Sequence, residues 1–559
     1  MLFAGTFLLY ALALPSQITW GDGPELAAAA WVLGVPHPTG YGLYTTLLHC
    51  AQSLPLGPEA WRGHLFSALC MAGGMGFLHA FLRRMFIELR FAQTHYAMAA
   101  ATLSTLACSL TPIIWQEATQ TEVYALFVLL FTATLWLLLN AWRNPSAWLP
   151  PLAFVIGLQL VHHRLSVFLI AAVVLAMAVR LLKQPKINFR TYGYAWISLL
   201  IPLLWLAYFP LRAMHDPPIN WYDPDTFLQW WLLISGAEYA GILGQGIQLW
   251  AERFSWSRLL FLLTLPWLTY SALSIVMLIG LAQFFRQSIG WAVGWLALYF
   301  IYQLFLMFYP VGDWTVFLTP LLLLLTVPLS FGLAQLIETA AERPRQPGLR
   351  YAGVMVLAGM SLLPFWVAFD QEKGLLDRSR PGNPFPLSWH SGVQRFEQDD
   401  SPARFAETVW QAVPDGAPVI TGLSEASADN ELHPVLYNQI VLNQGANSPV
   451  IGAGFLYLDW YRTQLNRQLD LALPLTGNQK SLSRKAWLDE VWTLLLDPLL
   501  ERGPVYSTSY PLPPEWNDRI DIEVVAEAKI DRLALPKSYR AYVPRGYVLR
   551  IERESEETP

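Results

Sequence analysis

The chain has 559 residues, of which 54% are hydrophobic and only 14% charged, with 25 Trp and a formal net charge of −5. A typical globular protein carries about 25% charged residues, so this balance excludes a disordered chain, a coiled coil and an ordinary cytosolic enzyme. The slightly acidic charge gives no reason to expect nucleic acid as a partner.

The charges are unevenly placed. Residues 1–370 hold 32 charged side chains and residues 371–559 hold 45, which reads as a membrane part followed by a soluble domain. A bilayer core of about 30 Å needs around 20 apolar residues in helical form. Eleven stretches meet that standard: residues 2–18, 64–82, 95–113, 121–141, 147–162, 164–182, 194–212, 258–285, 289–309, 315–337 and 350–369. They predict a polytopic α-helical membrane protein of about 11 transmembrane helices. The first stretch has no basic n-region and no small-residue cleavage site, so it reads as a retained helix.

Orientation follows from Lys and Arg in the short loops. With the N-terminus cytoplasmic, twelve of these residues fall on the inner side and five on the outer. An odd helix count then places the tail outside the cytoplasm. Twelve of the 15 acids before residue 371 also fall on the outer side, so the chemistry is expected there. Cys50, Cys70 and Cys108 are the only cysteines; they offer no disulfide framework and no thiolate metal site.

Taken along the chain, residues 19–63 form a long outer loop. Asp22 just before Pro24 is a good start signal for a helix over 24–33, expected to lie at the membrane interface. Asp22 and Glu25 are three apart and share a face if 22–33 is helical. Such a pair suits general-base work; the bland alternative is an N-cap with a first-turn acid. His37 lies in PHPTGY, a rigid turn able to bind a phosphate or an acceptor hydroxyl, or simply to face headgroups. Tyr41 opens the segment that follows.

Glu117 and Glu122 flank the outer end of the third and fourth stretches, where a charge points to function if it stands at membrane depth and costs little if it lies just outside the hydrocarbon. His162, His163 and Arg164 form a tight outer turn that fits phosphate contact better than metal. Arg212 ends the seventh stretch. Its planar fork suits a phosphate, and snorkelling to lipid headgroups is the alternative. Asp313 is the lone charge of a short loop and could be a helix cap. Residues 213–257 are rich in Trp and Tyr and read as resting in the headgroup layer.

Residues 371–390 look like a linker, which divides the chain into 1–370 and 391–559. In the second part 417–423, 448–455, 504–509, 521–528 and 546–553 read as strands, and the run LHPVLYNQIVLNQ reads as helical. The whole reads as a small α/β domain with nothing catalytic in it. No phosphate-binding loop and no H-E-x-x-H zinc motif occurs.

In their order, these segments resemble the protein O-mannosyltransferase-like family of the GT-C glycosyltransferase superfamily. The family pattern of Asp-x-x-Glu after the first helix is Asp22 and Glu25 here. The His-Pro-Pro-Gly-Tyr turn is HPTGY at 37–41, with Thr39 in place of the second Pro. Further matches are WQEATQTEVYAL (115–126), GLQLVHHRL (157–165), YFPLRAMHDPPINWYDP (208–224) and VGDWTVFLTP (311–320). Over the tail the likeness is thinner.

The resemblance implies a GT-C fold and a membrane glycosyltransferase. It would move a sugar, mannose among the candidates, from a polyprenyl-phosphate carrier to an acceptor hydroxyl, with protein Ser or Thr first in view. Asp22 is the implied base of an inverting displacement, helped by Glu25. Arg212 is the first choice for the donor phosphate, ahead of His163 and Arg164. His37, Tyr41, Glu117, Glu122 and Asp313 fall to the acceptor side. No metal is demanded, although a divalent metal is compatible with the chemistry. The partners are the lipid-linked donor, a protein or glycan acceptor and membrane lipids, with no nucleic acid. The compact loops, rather than the resemblance, lead one to expect a bacterial plasma membrane as the location. Transfer to a lipid or cell-wall glycan, and a non-enzymatic flippase of polyprenyl-linked sugar, are the competing readings.

Overall fold

A computed structural model describes residues 2–92, 94–183, 188–236, 254–270, 272–309, 316–342, 399–422, 425–475, 484–508, 519–530 and 544–554. The eleventh apolar stretch (350–369), the linker at 371–390 and Asp313 lie outside the described residues.

The first half is helical: α1 (Leu2–Ala11), α2 (Gly23–Val32), α3 (Gly42–Gln52), α4 (Glu59–Leu89), α5 (Thr94–Ser109), α6 (Pro112–Thr119), α7 (Val123–Arg143), α8 (Pro145–His162), α9 (Val167–Lys183), α10 (Phe189–Leu203), α11 (Tyr208–Ala213) and α12 (Phe227–Ser235). After them come α13 (Trp256–Tyr270), α14 (Leu273–Gln287), α15 (Ile289–Phe308) and α16 (Thr319–Glu342). Among the described residues six helices are long and apolar enough to cross a membrane, or up to eight if each of two bent pairs is one span. This makes the chain an integral membrane protein.

Two expected spans are broken, and proline explains one of them. The stretch 95–113 ends in α5, and Pro112 opens α6 at an angle of 70°. A proline ring clashes with the preceding turn and is tolerated at the first turn of a new helix. The stretch 258–285 runs as α13 and α14. The stretch 2–18 is helical only over ten residues.

α7 and α16 are almost wholly buried and form the centre, whereas few residues of Phe189–Ala213 are buried. α14 and α16 pack backbone to backbone. A Cβ added at Gly280 would meet the Pro328 carbonyl oxygen at 1.8 Å, so only glycine allows the approach, as is common between membrane helices.

The second half opens with α17 (Ser401–Ala412) and continues with β1 (Val419–Thr421), α18 (Glu425–Ile440), β2 (Val450–Gly452), α19 (Asp459–Leu469), α20 (Arg484–Arg502), β3 (Val505–Ser507), β4 (Ile520–Glu527) and β5 (Tyr547–Arg553). The five strands fall where the sequence predicts them. They form one sheet in the order β2-β1-β3-β5-β4, with β2, β1 and β3 parallel and β5 antiparallel to both β3 and β4. Side chains alternate across a strand, so Val419 faces Phe405, Val409 and Val435, and Ile420 faces Val491, Leu495 and Leu499. Helices therefore cover both faces.

The expected interfacial helix 24–33 is found as α2, but it is not a surface helix. Gly23 through Ala30 are all buried, and Ala27, Ala28 and Ala29 pack with Tyr437 and Val441 at the end of α18. Four consecutive alanines leave no bulk to hold a neighbour away, so α18 seats directly on α2. Trp20, just before α2, is 2% exposed and packs with Phe405 and Val409 of α17.

Candidate active site around Asp22, Glu25 and His37

Pro24 in the first turn sets the start of α2, and Asp22 stands at its N-cap position with φ −77° and ψ −16°. Its side chain makes no capping hydrogen bond. Asp22 thus leaves its carboxylate available, at 31% side-chain exposure, instead of using it on the helix amides. One turn on, Glu25 is buried and faces the same way.

The turn after α2 brings His37 to both acids. Glu25 accepts two hydrogen bonds from His37, one from the backbone N–H at 2.9 Å and one from ring Nδ1 at 2.6 Å. The other ring nitrogen, Nε2, lies 3.6 Å from Asp22 Oδ2. The order is Glu25, imidazole, Asp22. With Nδ1–H directed at Glu25, Nε2 faces the carboxylate of Asp22.

Two features hold this turn. Gly40 has φ +85°, and a Cβ there would meet Phe209 Cε1 at 2.5 Å, so a side chain is excluded by strain and by space together. Val35 N–H donates to Ile219 at 2.8 Å, and Trp221 N–H donates back to Val35 at 3.0 Å. This parallel bridge sets Trp221 edge-on to His37, with ring centroids 6.2 Å apart.

Burial alone would raise the Glu25 carboxyl. His37, through its facing charge and its two bonds, outweighs burial with help from the nearby His433 imidazole and lowers the pKa to about 2. His433 comes from α18. Its Nε2 lies 3.9 Å from Glu25 Oε2, and burial lowers its pKa despite the attraction of Glu25 and Asp22. Beside it, Gly21 N–H donates to Asn430 Oδ1 at 3.0 Å.

The remaining expected residues divide. Tyr41 packs edge-on to His37 at 5.3 Å and stacks on His163 at 5.9 Å. His163 is buried among Tyr124, Phe127 and Phe317, and its Nδ1 accepts from Leu165 N–H at 3.1 Å. Arg164, next along, is exposed and makes no ion pair or hydrogen bond among the described residues. Arg212 is otherwise engaged: its Nε donates to the Leu33 carbonyl at 2.6 Å and its Nη2 to the Val32 carbonyl at 3.1 Å. It caps the C-terminus of α2, where a cation is favoured by the helix dipole, and neither lipid nor phosphate is needed to explain it.

Glu117 and Glu122 are bonded in other groups. Glu117 is fully buried and accepts from Gln120 at 3.3 Å. Glu122 caps α7 through Val123 N–H at 3.3 Å. His433, Asn430 and Trp221 were not singled out by sequence reasoning. His433 lies in the quoted run LHPVLYNQ, yet no spacing rule links it to a residue more than 400 positions away. Among the described residues no group of three or more His, Cys, Asp or Glu side chains is arranged to hold a metal ion. Glu25 and His37 direct their polar atoms at each other.

Residues 22–187 match the family model described as the protein O-mannosyl-transferase TMEM260 N-terminal domain. The N-terminal part of this chain is TMEM260-like. The match begins at Asp22, the residue that opens the site. The mouse protein O-mannosyl-transferase TMEM260 is 27% identical over 231 residues, which is 40% of this chain and 32% of the mouse protein. The match thus spans about a third of the length of that relative. Crystal structures of ArnT from Cupriavidus metallidurans, in the apo state and bound to undecaprenyl phosphate, share the fold. Each covers 98% of this chain and 97% of ArnT, with a TM-score of 0.53 and 14% identity. The TMEM260-like segment therefore sits within a fold, shared with ArnT, that runs through the tail.

Proposed function

We propose that this chain is a GT-C membrane glycosyltransferase that moves a sugar from a polyprenyl-phosphate carrier to an acceptor hydroxyl. The carrying observation is the Asp22 carboxylate, unused by its own helix and 3.6 Å from an imidazole that Glu25 holds in place. The likeness to the mouse protein O-mannosyl-transferase supports a mannosyl group and a protein Ser or Thr acceptor. The fold shared with ArnT, crystallised with undecaprenyl phosphate, supports a prenyl-linked donor.

In this reading the acceptor hydroxyl attacks the anomeric carbon and gives its proton to Asp22. The new C–O bond forms as the bond to the carrier phosphate breaks, and the polyprenyl phosphate leaves with the bonding pair, inverting the anomeric centre. Glu25 keeps His37 oriented, and His37 holds the Asp22 carboxylate towards the acceptor. His37 and Tyr41 flank the acceptor. Charge building on the leaving phosphate calls for a fixed cation. Arg164 fits this need ahead of Arg212, because the residue is exposed beside His163 and makes no ion pair or hydrogen bond among the described residues, whereas Arg212 is held by two carbonyls. Asp313 acts on the acceptor side, whereas Glu117 and Glu122, bonded to Gln120 and to the N-terminus of α7, have no direct part in this reading.

The finer architecture belongs to the same proposal. It comprises eleven spans with the N-terminus inside, a catalytic part over 1–370 and an extracytoplasmic α/β part over 391–559. The test is a transfer assay on the purified protein in lipid, with radiolabelled polyprenyl-phosphate sugars and Asp22→Asn in parallel. Asp22→Asn is expected to lose transfer by a factor of roughly a thousand or more while donor binding holds. An Asn variant with wild-type turnover would remove Asp22 as the base.

A further inference from the structure

We propose that the C-terminal part of the chain completes the reaction centre and that His433 is a positioning residue acting through Glu25. This rests on the transferase reading above. His433 is 2% exposed, and its Nε2 faces Glu25 Oε2, the oxygen that takes the Nδ1–H of His37. One buried carboxylate oxygen is thus placed between two imidazoles, one from residue 37 and one from residue 433.

The approach is built into the packing. Trp20 inserts among Phe405 and Val409, Asn430 accepts from Gly21, and Tyr437 and Val441 cover the alanines of α2. These contacts lie before, beside and after His433 along the tail, and they bracket Asp22 and Glu25 along the loop. Further out, Arg467 of α19 pairs with Asp216 at 2.7 Å and with Asp223 at 3.2 Å.

The chemistry needs such a group. Glu25 must stay ionised in a dry setting if it is to hold His37, and burial works against that. A second imbalance arises when the acceptor proton reaches Asp22 and one of the two negative charges near His37 disappears. A neutral His433, hydrogen-bonded to the Gly21 backbone with Nε2 3.9 Å from Glu25 Oε2, keeps a polar ring edge beside the carboxylate through both states, since burial disfavours its charged form. The titratable groups facing this pair are Asp22, Glu25 and His37, with Tyr41 and His163 beyond His37. Removing His433 lets Glu25 take up a proton at higher pH, so the acidic limb of the pH–rate profile moves upward.

The experiment compares wild type with His433→Gln, His433→Asn, His433→Leu and Arg467→Ala in the full chain, using whichever polyprenyl-phosphate sugar supports wild-type transfer. A Gln amide nitrogen reaches the place of Nε2, whereas Asn reaches only that of Nδ1; Leu keeps the volume and loses all polarity. The Gln variant is expected to stay close to wild type. The Asn and Leu variants are expected to lose about tenfold in kcat, with the acidic limb raised by roughly half a unit and the donor KM unchanged. Arg467→Ala loosens the tail without touching Glu25 and is expected to leave the limb in place.

An Asn or Leu variant that folds and keeps the wild-type limb overturns the inference. So does Arg467→Ala reproducing the shift, or failure of both Asn and Leu variants to fold while Gln behaves as wild type. Each of those would reduce His433 to a docking contact. A wild type that transfers nothing from any donor overturns the transferase reading and this inference with it, whereas an active wild type with an unmoved limb overturns the inference alone.

Discussion

Arg164 and Arg212 carry the same guanidinium in opposite circumstances, and the difference decides what each can do. Arg212 donates to the last carbonyls of α2; Arg164 is exposed beside Tyr41 and the buried His163. From sequence alone an Arg at the end of a span looks the better phosphate ligand, because nothing in the string reveals that Leu33 lies across from it. Arg164→Ala is expected to weaken binding of a polyprenyl-phosphate donor on the order of tenfold, the effect of losing one charge-assisted hydrogen bond. Arg212→Ala is expected to cost about 1 kcal/mol of stability through the lost helix-end contact, with donor affinity little changed. Binding isotherms and thermal midpoints on both variants separate the two roles, and the reverse pattern would restore Arg212 as the phosphate ligand.

At the scale of elements, the turn between α2 and α3 does most to assemble the site. His37 reaches both acids only because the chain reverses within a few residues, with Gly40 in the left-handed region against the Phe209 ring. Gly40→Ala is expected to destabilise the fold by about 1–3 kcal/mol, combining backbone strain with the clash. It should lower turnover more than donor affinity, because it displaces His37 and leaves Arg164 alone. Thermal melts together with kcat and KM check this; an Ala variant with unchanged melting would mean that the turn relaxes at little cost.

This turn was legible in advance, since Pro-His-Pro-Thr-Gly-Tyr is rigid by composition. The strands of the tail were legible too, because short β-branched runs bounded by Gly, Pro and Asp leave few alternatives. The fate of α2 was not legible. An alanine-rich helix with a Trp at its end suits a membrane surface and a protein interior equally, and the outcome depended on α18 arriving to cover it.

At the scale of the molecule, Glu25 is a joint between the two halves of the chain, since it meets His37 from the loop and His433 from the tail. Its pKa falls from an ordinary 4.5 to about 2. A carboxyl lowered on folding contributes stability that is present above the ordinary value and is lost as pH falls through the folded one. The window is therefore about 4.5 down to about 2. In detergent, wild type is expected to lose thermal stability across that window more steeply than Glu25→Gln, which has no carboxylate to protonate and starts lower at neutral pH. Parallel curves for the two proteins would show that Glu25 carries no such load.

The sequence by itself determined the membrane character, the placing of the strands and the pairing of Asp22 with Glu25. Each of these is a local property: apolar length, alternation, or spacing along one helix. Only the tertiary structure decided that Arg212 would cap a helix far from it in sequence and that His433 would stand against Glu25. Those outcomes depend on which surfaces meet across hundreds of residues, and that is set by the packing of the whole chain, since no rule of spacing reaches so far.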